Sequence, residues 1–371
     1  MEMNTEYKRF KYFSRSSAFI EPSDHVIGHS LVLLEKNGDN VLLPHENVSK
    51  VFSMAKMFKN ILELPSVLQD TKHYLTKLQN SKVFSNFTQG KHWKSKLTDK
   101  FTLPIFLYYD DYELGNALGS RAGTNKLGAV YCTIPCLPQY FYSLKSIFLV
   151  SLFYTNDKRL GYKHIFKPIV DELNSLESEG IVVNYGNKEE KVYFQLALLL
   201  GDNLALHTML GFTESFSATY RCRFCKIPKN VSYTACCSDD TIKRTIQNYE
   251  SDLQLNDLSQ TGIKENSIWN DIKNFHVVEN FAVDIMHDLL EGVCMYDMTI
   301  ILNKLILEYQ LFSLTTLNNR ILGFNTFGAE TANKPPVITL EMLKGKLKFS
   351  AAEMLFLSRY LDMNKNIEFQ N

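Results

Sequence analysis

The middle third of the chain alternates short apolar runs with polar breaks, a pattern that predicts strands. Three such runs cover residues 103–109, 127–134 and 144–154, with turn residues between them. Apolar and β-branched runs bounded by turn residues are typical of strands in a sheet. Two further strands are predicted at residues 181–185 and 192–200, on either side of a Tyr-Gly-Asn-Lys turn.

Elsewhere the apolar residues return at helical spacing. Residues 159–179 carry Ile165, Ile169 and Leu173 on one face, and Gly180 follows as expected at a helix C-terminus. The same spacing predicts helices within residues 46–78, 277–309 and 341–361, whereas residues 1–45 predict a short extended segment. Three strands, a helix and a returning strand are the start of an RNase H-like core. The sequence therefore predicts an α+β fold with a mixed sheet.

The composition is that of a folded protein and argues against the secreted and membrane classes. The 371 residues are 45% hydrophobic and 22% charged, as in folded globular proteins. Forty basic and forty acidic side chains cancel, so DNA binding would need a local basic patch. Seven scattered cysteines do not form the pattern of a secreted disulfide framework. No apolar run reaches the ~18 residues of a membrane helix, and the N-terminus lacks a signal-peptide core. We therefore expect a protein of the nucleus or cytoplasm that is neither secreted nor bound to a membrane.

Aspartates follow two of the predicted strands. Asp110 and Asp111 close the first strand, and Asp202 closes the strand that follows the helix. Two-metal phosphoryl chemistry uses hard carboxylate oxygens on rigid elements to hold Mg²⁺ or Mn²⁺. The alternative is structural, since Asp202 also suits the N-cap of a short helix.

Cys222 and Cys225 have the spacing of half a zinc site, and such a pair needs two further ligands. The nearby candidates are Cys236 and Cys237, and the distant ones are His276 and His287. Basic neighbours at positions 221, 223 and 226 would offset thiolate charge. The alternative is two reduced thiols in a loop.

A third group lies on a predicted helix. Asp284, His287, Asp288 and Glu291 are spaced i, i+3, i+4 and i+7, which places three carboxylates and an imidazole on one face. Because like charges this close cost stability, a cation or basic partner would stabilise them. A solvated polar face is the alternative.

Together these stretches resemble the transposases of eukaryotic cut-and-paste DNA elements. The resemblance is carried by GDNLALHTMLGFTESFSATYRCRFC, by FHVVENFAVDIMHDLLEGV and by YYDDYELGNALGSRAGTNKLGAVY, and it extends over residues 101–361. The plan is similar to that of CACTA-type transposases and of the catalytic subunit of the V(D)J recombinase.

The resemblance implies an RNase H-like core whose acidic triad is interrupted by a mostly helical insertion. Asp110 or Asp111 would be the first acid and Asp202 the second, with Cys222 and Cys225 as the thiol half of a zinc site. The third carboxylate and two histidines would come after the insertion, and the sequence has no matching segment there. Glu291 and Glu353 are the candidates that it does offer.

We therefore expect a mostly helical lead-in at residues 1–100, the first part of an incomplete core at 101–215, and a Cys-x-x-Cys segment with the helical insertion at 216–371. The expected ancestral reaction is metal-dependent cleavage and transfer of DNA strands at transposon ends, with little or no activity in this truncated chain. The alternative is a non-catalytic DNA- or protein-binding module with structural zinc. Whether it forms a homo-oligomer stays open.

Overall fold

A seven-stranded mixed sheet organises the first of two compact units in the computed structural model of this protein. The structure describes residues 4–16, 18–36, 39–114, 126–141, 146–237, 239–324 and 332–361. The two units are residues 1–282 and 283–371, which differs from the expected boundaries at residues 100 and 215. The physical reason is that side chains of the lead-in, such as Phe58 and Leu68, share one apolar core with the sheet.

Every predicted strand is present, and the sheet has two more at one edge. The first predicted strand continues to Glu113, so Asp110 and Asp111 lie within it and do not end it as expected. The strands are β1 (Ser23–Lys36), β2 (Asp39–Val51), β3 (Thr102–Glu113), β4 (Lys126–Thr133), β5 (Phe148–Tyr154), β6 (Ile181–Tyr185) and β7 (Lys188–Leu200). Their order is β1-β2-β5-β4-β3-β7-β6. Neighbours are antiparallel except for β3 and β7, which run parallel.

The long β1–β2 hairpin corrects the expectation that residues 1–100 are mostly helical. Residues 46–51 belong to β2 and not to a helix, because they pair with the start of β1, with Val48 opposite Val26. Asn47, Ser49 and Val51 alternate inward along β2, which is the two-residue period of a strand. Apolar positions at 48, 51 and 52 fit a helix equally well, so only the cross-strand pairing decides.

Helices cover the sheet and continue into the segment that follows it. In the first unit they are α1 (Glu6–Phe13), α2 (Met54–Leu62), α3 (Val67–Asn80), α4 (Lys91–Lys94), α5 (Tyr162–Ser178), α6 (Asn203–Leu210), α7 (Lys229–Ser232), α8 (Ile246–Leu255) and α9 (Leu258–Thr261). Helix α5 buries the face predicted from its spacing, and Phe166 on that face is fully buried. Its ring lies 5.1 Å from Trp269 and 6.1 Å from both Tyr109 and Phe153.

All regular elements in the described residues of the second unit are helices. A continuous helical stretch begins as a π-helix at Ile285–Val293, becomes α10 at Cys294–Asn303 and ends as a π-helix at Lys304–Glu308. Three more helices follow: α11 (Leu314–Gly323), α12 (Leu340–Lys344) and α13 (Ala351–Tyr360). They enclose a separate core that includes Leu302, Leu347 and Met354. No helix in the described part of the chain is long and apolar enough to span a membrane.

One predicted helix begins later than expected, and one predicted segment cannot be compared with the structure. The helix expected from residue 277 begins only at Ile285, because residues 281–282 pair with Leu199 at the end of β7. Residues 115–125, which belong to the first block of the resemblance, lie outside the described residues.

Replacing Phe166 with alanine tests the position of the core. We expect Phe166→Ala to lower the free energy of unfolding by about 3–5 kcal/mol, because a fully buried ring leaves a cavity. Urea denaturation followed by tryptophan fluorescence measures this change, since Trp269 contacts the ring. Phe84→Ala is the control, as its side chain is 79% exposed and should change stability by less than about 0.5 kcal/mol. Equal effects of both substitutions would contradict the assignment.

Candidate functional site

The parallel pairing of β3 with β7 brings two of the predicted aspartates to the same end of the sheet. Tyr108 lies opposite Leu200 in the ladder, and Asp110 and Asp202 each follow two residues later. Gly201 permits this close approach, since a Cβ at that position would lie 3.1 Å from the Tyr109 carbonyl oxygen. The two neighbouring strands thus place both carboxylates at the same end of the sheet.

Asp110 and Asp111 lie on opposite faces of β3, because side chains alternate along a strand. Asp111 shares its face with Tyr109, whose hydroxyl donates to it, and it forms an ion pair with Lys158. Burial and this hydrogen bond raise the pKa of Tyr109 well above its usual range. Asp110 is exposed and accepts from the Tyr108 hydroxyl at 3.1 Å. The Asp111 charge is therefore already balanced by a lysine, whereas Asp110 is the more accessible carboxylate.

Asp202 is the N-cap of α6. Its Oδ1 accepts the backbone N–H of Ala205 at 2.6 Å, and its backbone has the extended conformation usual for a cap. The alternative predicted from the sequence, that Asp202 is a helix N-cap, is thus observed in the fold. A carboxylate has two oxygens and about four acceptor positions, so capping by one oxygen is compatible with metal binding by the other.

The two thiols of the Cys-x-x-Cys segment face one another. The Sγ atoms of Cys222 and Cys225 are 3.5 Å apart. Two thiolates on one tetrahedral zinc, each with a bond of about 2.3 Å, lie roughly 3.8 Å apart. The backbone N–H of Phe224 donates to Cys222 Sγ at 3.3 Å, and that of Ile227 donates to the Cys225 thiol. Each sulfur thus accepts an N–H from the residue two positions later, which stabilises sulfur charge.

A short antiparallel bridge holds the thiol segment in place. Cys225 pairs with Lys243, and Arg244 donates its N–H to the Phe224 carbonyl at 3.0 Å and its Nε to the Cys222 carbonyl at 3.0 Å. The Arg244 side chain is buried and lies 3.5 Å from the Asp252 carboxylate. Burial lowers the pKa of Arg244, and Asp252 and the two thiols act in the opposite direction. The Arg244 cation acts to lower the pKa of Cys225, but burial acts more strongly and raises it.

Arg223 connects the thiol segment to the sheet edge, a role that the sequence pattern did not indicate. Its guanidinium was expected only as a basic neighbour of the thiols, but the residue is 3% exposed. Nη1 donates to Asn203 Oδ1 at 2.7 Å, directly after Asp202. The guanidinium also lies over the rings of Phe224 and Phe281. The Cys-x-x-Cys segment and the N-terminus of α6 therefore form one local structure.

The other candidate zinc ligands do not join this pair. Cys236 and Cys237 are exposed. His276 packs edge-on against Tyr249, and its Nδ1 accepts from Val278 at 3.3 Å. Across the described ranges, no three histidine, cysteine, aspartate or glutamate side chains form a group that could hold a metal ion.

In the second unit, the expected face of four polar residues is rearranged by the π-helix. Asp284 is the buried N-cap, with Oδ2 2.5 Å from Nδ1 of His287. Glu291 instead accepts from the Ala351 N–H at 3.3 Å, at the start of α13. Ile285, Met286 and Leu289 are exposed. A π-helix closes its hydrogen bonds over one residue more than an α-helix, so i+3, i+4 and i+7 no longer define one face.

Glu353, the other candidate third carboxylate, also has a structural role. It forms a capping box with Ser350 at the N-terminus of α13, accepting the Ser350 N–H at 2.8 Å. Both glutamates are thus bound to the first turn of the same helix, where negative charge is favourable.

No known protein family and no curated protein matches this chain. The relation to transposases therefore stays a resemblance of sequence blocks.

Zinc binding tests the thiol pair. We expect purified protein to bind zinc weakly, because only two of the usual four ligands are in place, and Cys222→Ser or Cys225→Ser to abolish most of that binding. Burial raises the pKa of Cys225, so protons compete with zinc to higher pH and the affinity falls as the pH is lowered. Metal analysis across a pH series measures both effects. Cys236→Ser is the control because that thiol is exposed; loss of zinc from this variant, or no zinc in the parent, would contradict the site.

Proposed function

We propose that this chain is a transposase-derived protein. The end of its sheet at Asp110 and Asp202 binds Mg²⁺ or Mn²⁺ next to DNA. The observation that carries the proposal is the parallel register of β3 and β7, which places Asp110, within β3, level with Asp202, just after the end of β7. Carboxylates on rigid elements are the ligands that two-metal phosphoryl chemistry uses, and this end of the sheet offers two of them. A DNA ligand also favours the nucleus as the place of action.

The strand order supports an RNase H-like origin for this part of the sheet. The run β5-β4-β3-β7 consists of three antiparallel strands with a fourth parallel to the first of them. Helix α5 lies between β5 and β7 in the chain and packs on β7. This is the succession that the sequence pattern predicted for such a core, and the predicted hairpin strand at residues 181–185, β6, precedes the returning strand.

Asp110 is the better candidate for the first acid. Lys158 already neutralises Asp111, and removing that lysine would leave a partly buried charge unpaired. Asp110 has no such cost, since it is exposed and bound by a neutral hydroxyl. With Asp202 on the next strand, it would hold the metals that activate a water, and then a DNA 3′-hydroxyl, for in-line attack on phosphorus.

Metal binding is a better supported role for this chain than strand cleavage. Glu291 and Glu353, the two candidates for a third carboxylate, are both engaged at the start of α13. With two carboxylates at the edge, binding of the second metal should be weak. We therefore propose an ancestral strand-cleaving function of which metal and DNA binding are the main residual activities.

A second candidate function is a non-catalytic DNA- or protein-binding module with structural zinc. The observation that favours it is the facing thiol pair with its two N–H···S hydrogen bonds. A zinc ion there would fasten residues 222–244 to the start of α6 through Arg223. This function needs neither Asp110 nor Asp202 as a metal ligand.

Substitution by asparagine separates the metal-binding role of Asp202 from its capping role. Asparagine is as good an N-cap as aspartate, so Asp202→Asn keeps α6 while removing the charge. We expect Asp202→Asn and Asp110→Asn each to weaken Mn²⁺ binding at least tenfold, since even outer-shell changes cost about 10–100-fold. Titration calorimetry measures the affinity. Asp240→Asn, at an exposed aspartate elsewhere, is the control.

Asp111→Asn decides which neighbour is the first acid. We expect it to lower thermal stability, because Lys158 loses its partner, with little effect on Mn²⁺ affinity. If Asp202→Asn binds Mn²⁺ as well as the parent does, Asp202 is a helix cap alone and the metal-binding proposal fails.

A strand-nicking assay tests the prediction of weak catalysis. We expect little or no cleavage of supercoiled DNA by this chain with Mn²⁺, because two carboxylates hold the second metal poorly. Gel analysis of nicked product over time, with Asp202→Asn as the matched variant, measures it. Robust cleavage by the parent that disappears in Asp202→Asn would overturn this prediction and support a complete enzyme.

A further inference from the structure

The distal half of the β1–β2 hairpin extends beyond the rest of the sheet. Its base is fixed, since buried Asn47 donates to Asp157 at 2.6 Å and Gly28 faces the Leu160 side chain. In the described residues β2 pairs with β5 only at Lys50 and Val51. From Leu31 to Leu33 and from Val41 to Pro44, every residue is exposed. The arm is therefore attached to the rest of the unit at its base and exposed along residues 31–33 and 41–44.

Both faces of this arm are apolar. The register places Leu31 opposite Pro44 and Leu33 opposite Leu42 on one face, and Val32 opposite Leu43 on the other. Leu31, Leu33 and Leu42 are 68%, 58% and 57% exposed, whereas Val32, Val41 and Leu43 are each 37% exposed. An antiparallel strand with one solvated face normally alternates apolar and polar residues. A lone two-stranded hairpin is also marginally stable in water, so this arm needs a partner.

The two edges of the arm differ in their protection against further pairing. The outer edge of β2 carries Pro44, which lacks an N–H, and charged Glu46. Strand β1 is an edge strand of the sheet, with a β-bulge between Val26 and Gly28 and charged residues near its ends, at Asp24, Glu35 and Lys36. Proteins usually protect exposed edges with such features. Between Gly28 and Leu34 the strand has neither a proline nor an acidic or basic (Lys, Arg) residue, so this part of the edge is the one suited to accept another strand.

We propose that β1 pairs antiparallel with β1 of a second copy of this chain, about a two-fold axis near Val32. The strand is its own complement in this arrangement, because Leu31 of one copy lies opposite Leu33 of the other. Apolar cross-strand pairs of this kind contribute roughly 0.2–1 kcal/mol each. The result is a four-stranded sheet whose apolar face continues from one arm to the other. A two-fold contact is self-complementary and closes at the dimer.

The charge distribution favours a second copy over a charged partner. With the axis at Val32, Glu35 of one copy lies opposite His29 of the other and Lys36 lies opposite Gly28, so no like charges face one another in the ladder. The whole chain has a formal net charge of +0, so two copies do not repel one another strongly. Because the contact is confined to one strand of each copy, we expect dimerisation that depends on concentration.

Sedimentation equilibrium over a concentration series tests the dimer. We expect the parent chain to shift from monomer to dimer with rising concentration, and Leu31→Lys/Leu33→Lys to stay monomeric, because charges on an edge strand block pairing. Both leucines are exposed, so the substitutions should leave the fold and its circular dichroism spectrum unchanged. Leu64→Lys/Val83→Lys is the matched control, with the same added charge at exposed apolar residues elsewhere. It should dimerise like the parent.

Oxidative cross-linking of Val32→Cys places the interface. We expect a disulfide-linked dimer beyond that of the parent treated in the same way, and none in a Leu31→Lys/Leu33→Lys background. A parent that is monomeric at every concentration overturns the proposal, whether or not another protein binds the arm. A lysine variant that dimerises as the control does also overturns it, because the contact must then lie elsewhere. Neither measurement depends on metal or DNA binding.

Discussion

The parallel pairing of β3 with β7 is the contact on which the rest of the first unit depends. It joins the antiparallel half of the sheet to the strand that returns after α5, and it places Asp110 and Asp202 at one edge. Parallel neighbours cannot be joined by a tight turn, so the chain must cross over through α5. The buried aromatic cluster around Phe166 follows from that crossover.

Two buried arginines are the main contacts that hold the Cys-x-x-Cys segment, which follows α6, in place. Arg223 reaches Asn203, and Arg244 reaches the backbone of Cys222 and the carboxylate of Asp252. Buried guanidinium groups cost free energy unless they are paired and hydrogen-bonded, so both constrain the segment strongly. The thiol pair thus lies in a preorganised structure, and this segment would lose little conformational entropy if a zinc ion bound there.

Several acidic residues that the sequence marks as candidate metal ligands instead bind the N-termini of helices. Asp202, Asp284, Glu291 and Glu353 all accept backbone N–H groups at helix N-termini. Capping satisfies donors that would otherwise lack partners and places negative charge at the favourable end of the helix dipole. Of these four, only Asp202 also lies beside a second strand carboxylate, which is why it alone carries the proposed metal chemistry.

The sequence by itself determined the strands of the central sheet, helix α5 and the positions of the two aspartates and two thiols. These features are local, because apolar periodicity, a terminating glycine and a fixed Cys-x-x-Cys spacing all act within a few residues. Tertiary structure alone decided the β1–β2 hairpin, since Val48 and Val51 fit a helix until β1 pairs with them. It also decided that Lys158 neutralises Asp111 and that Arg223 is buried against Asn203. Those contacts join residues that are far apart in the chain, and no local pattern encodes such a pairing.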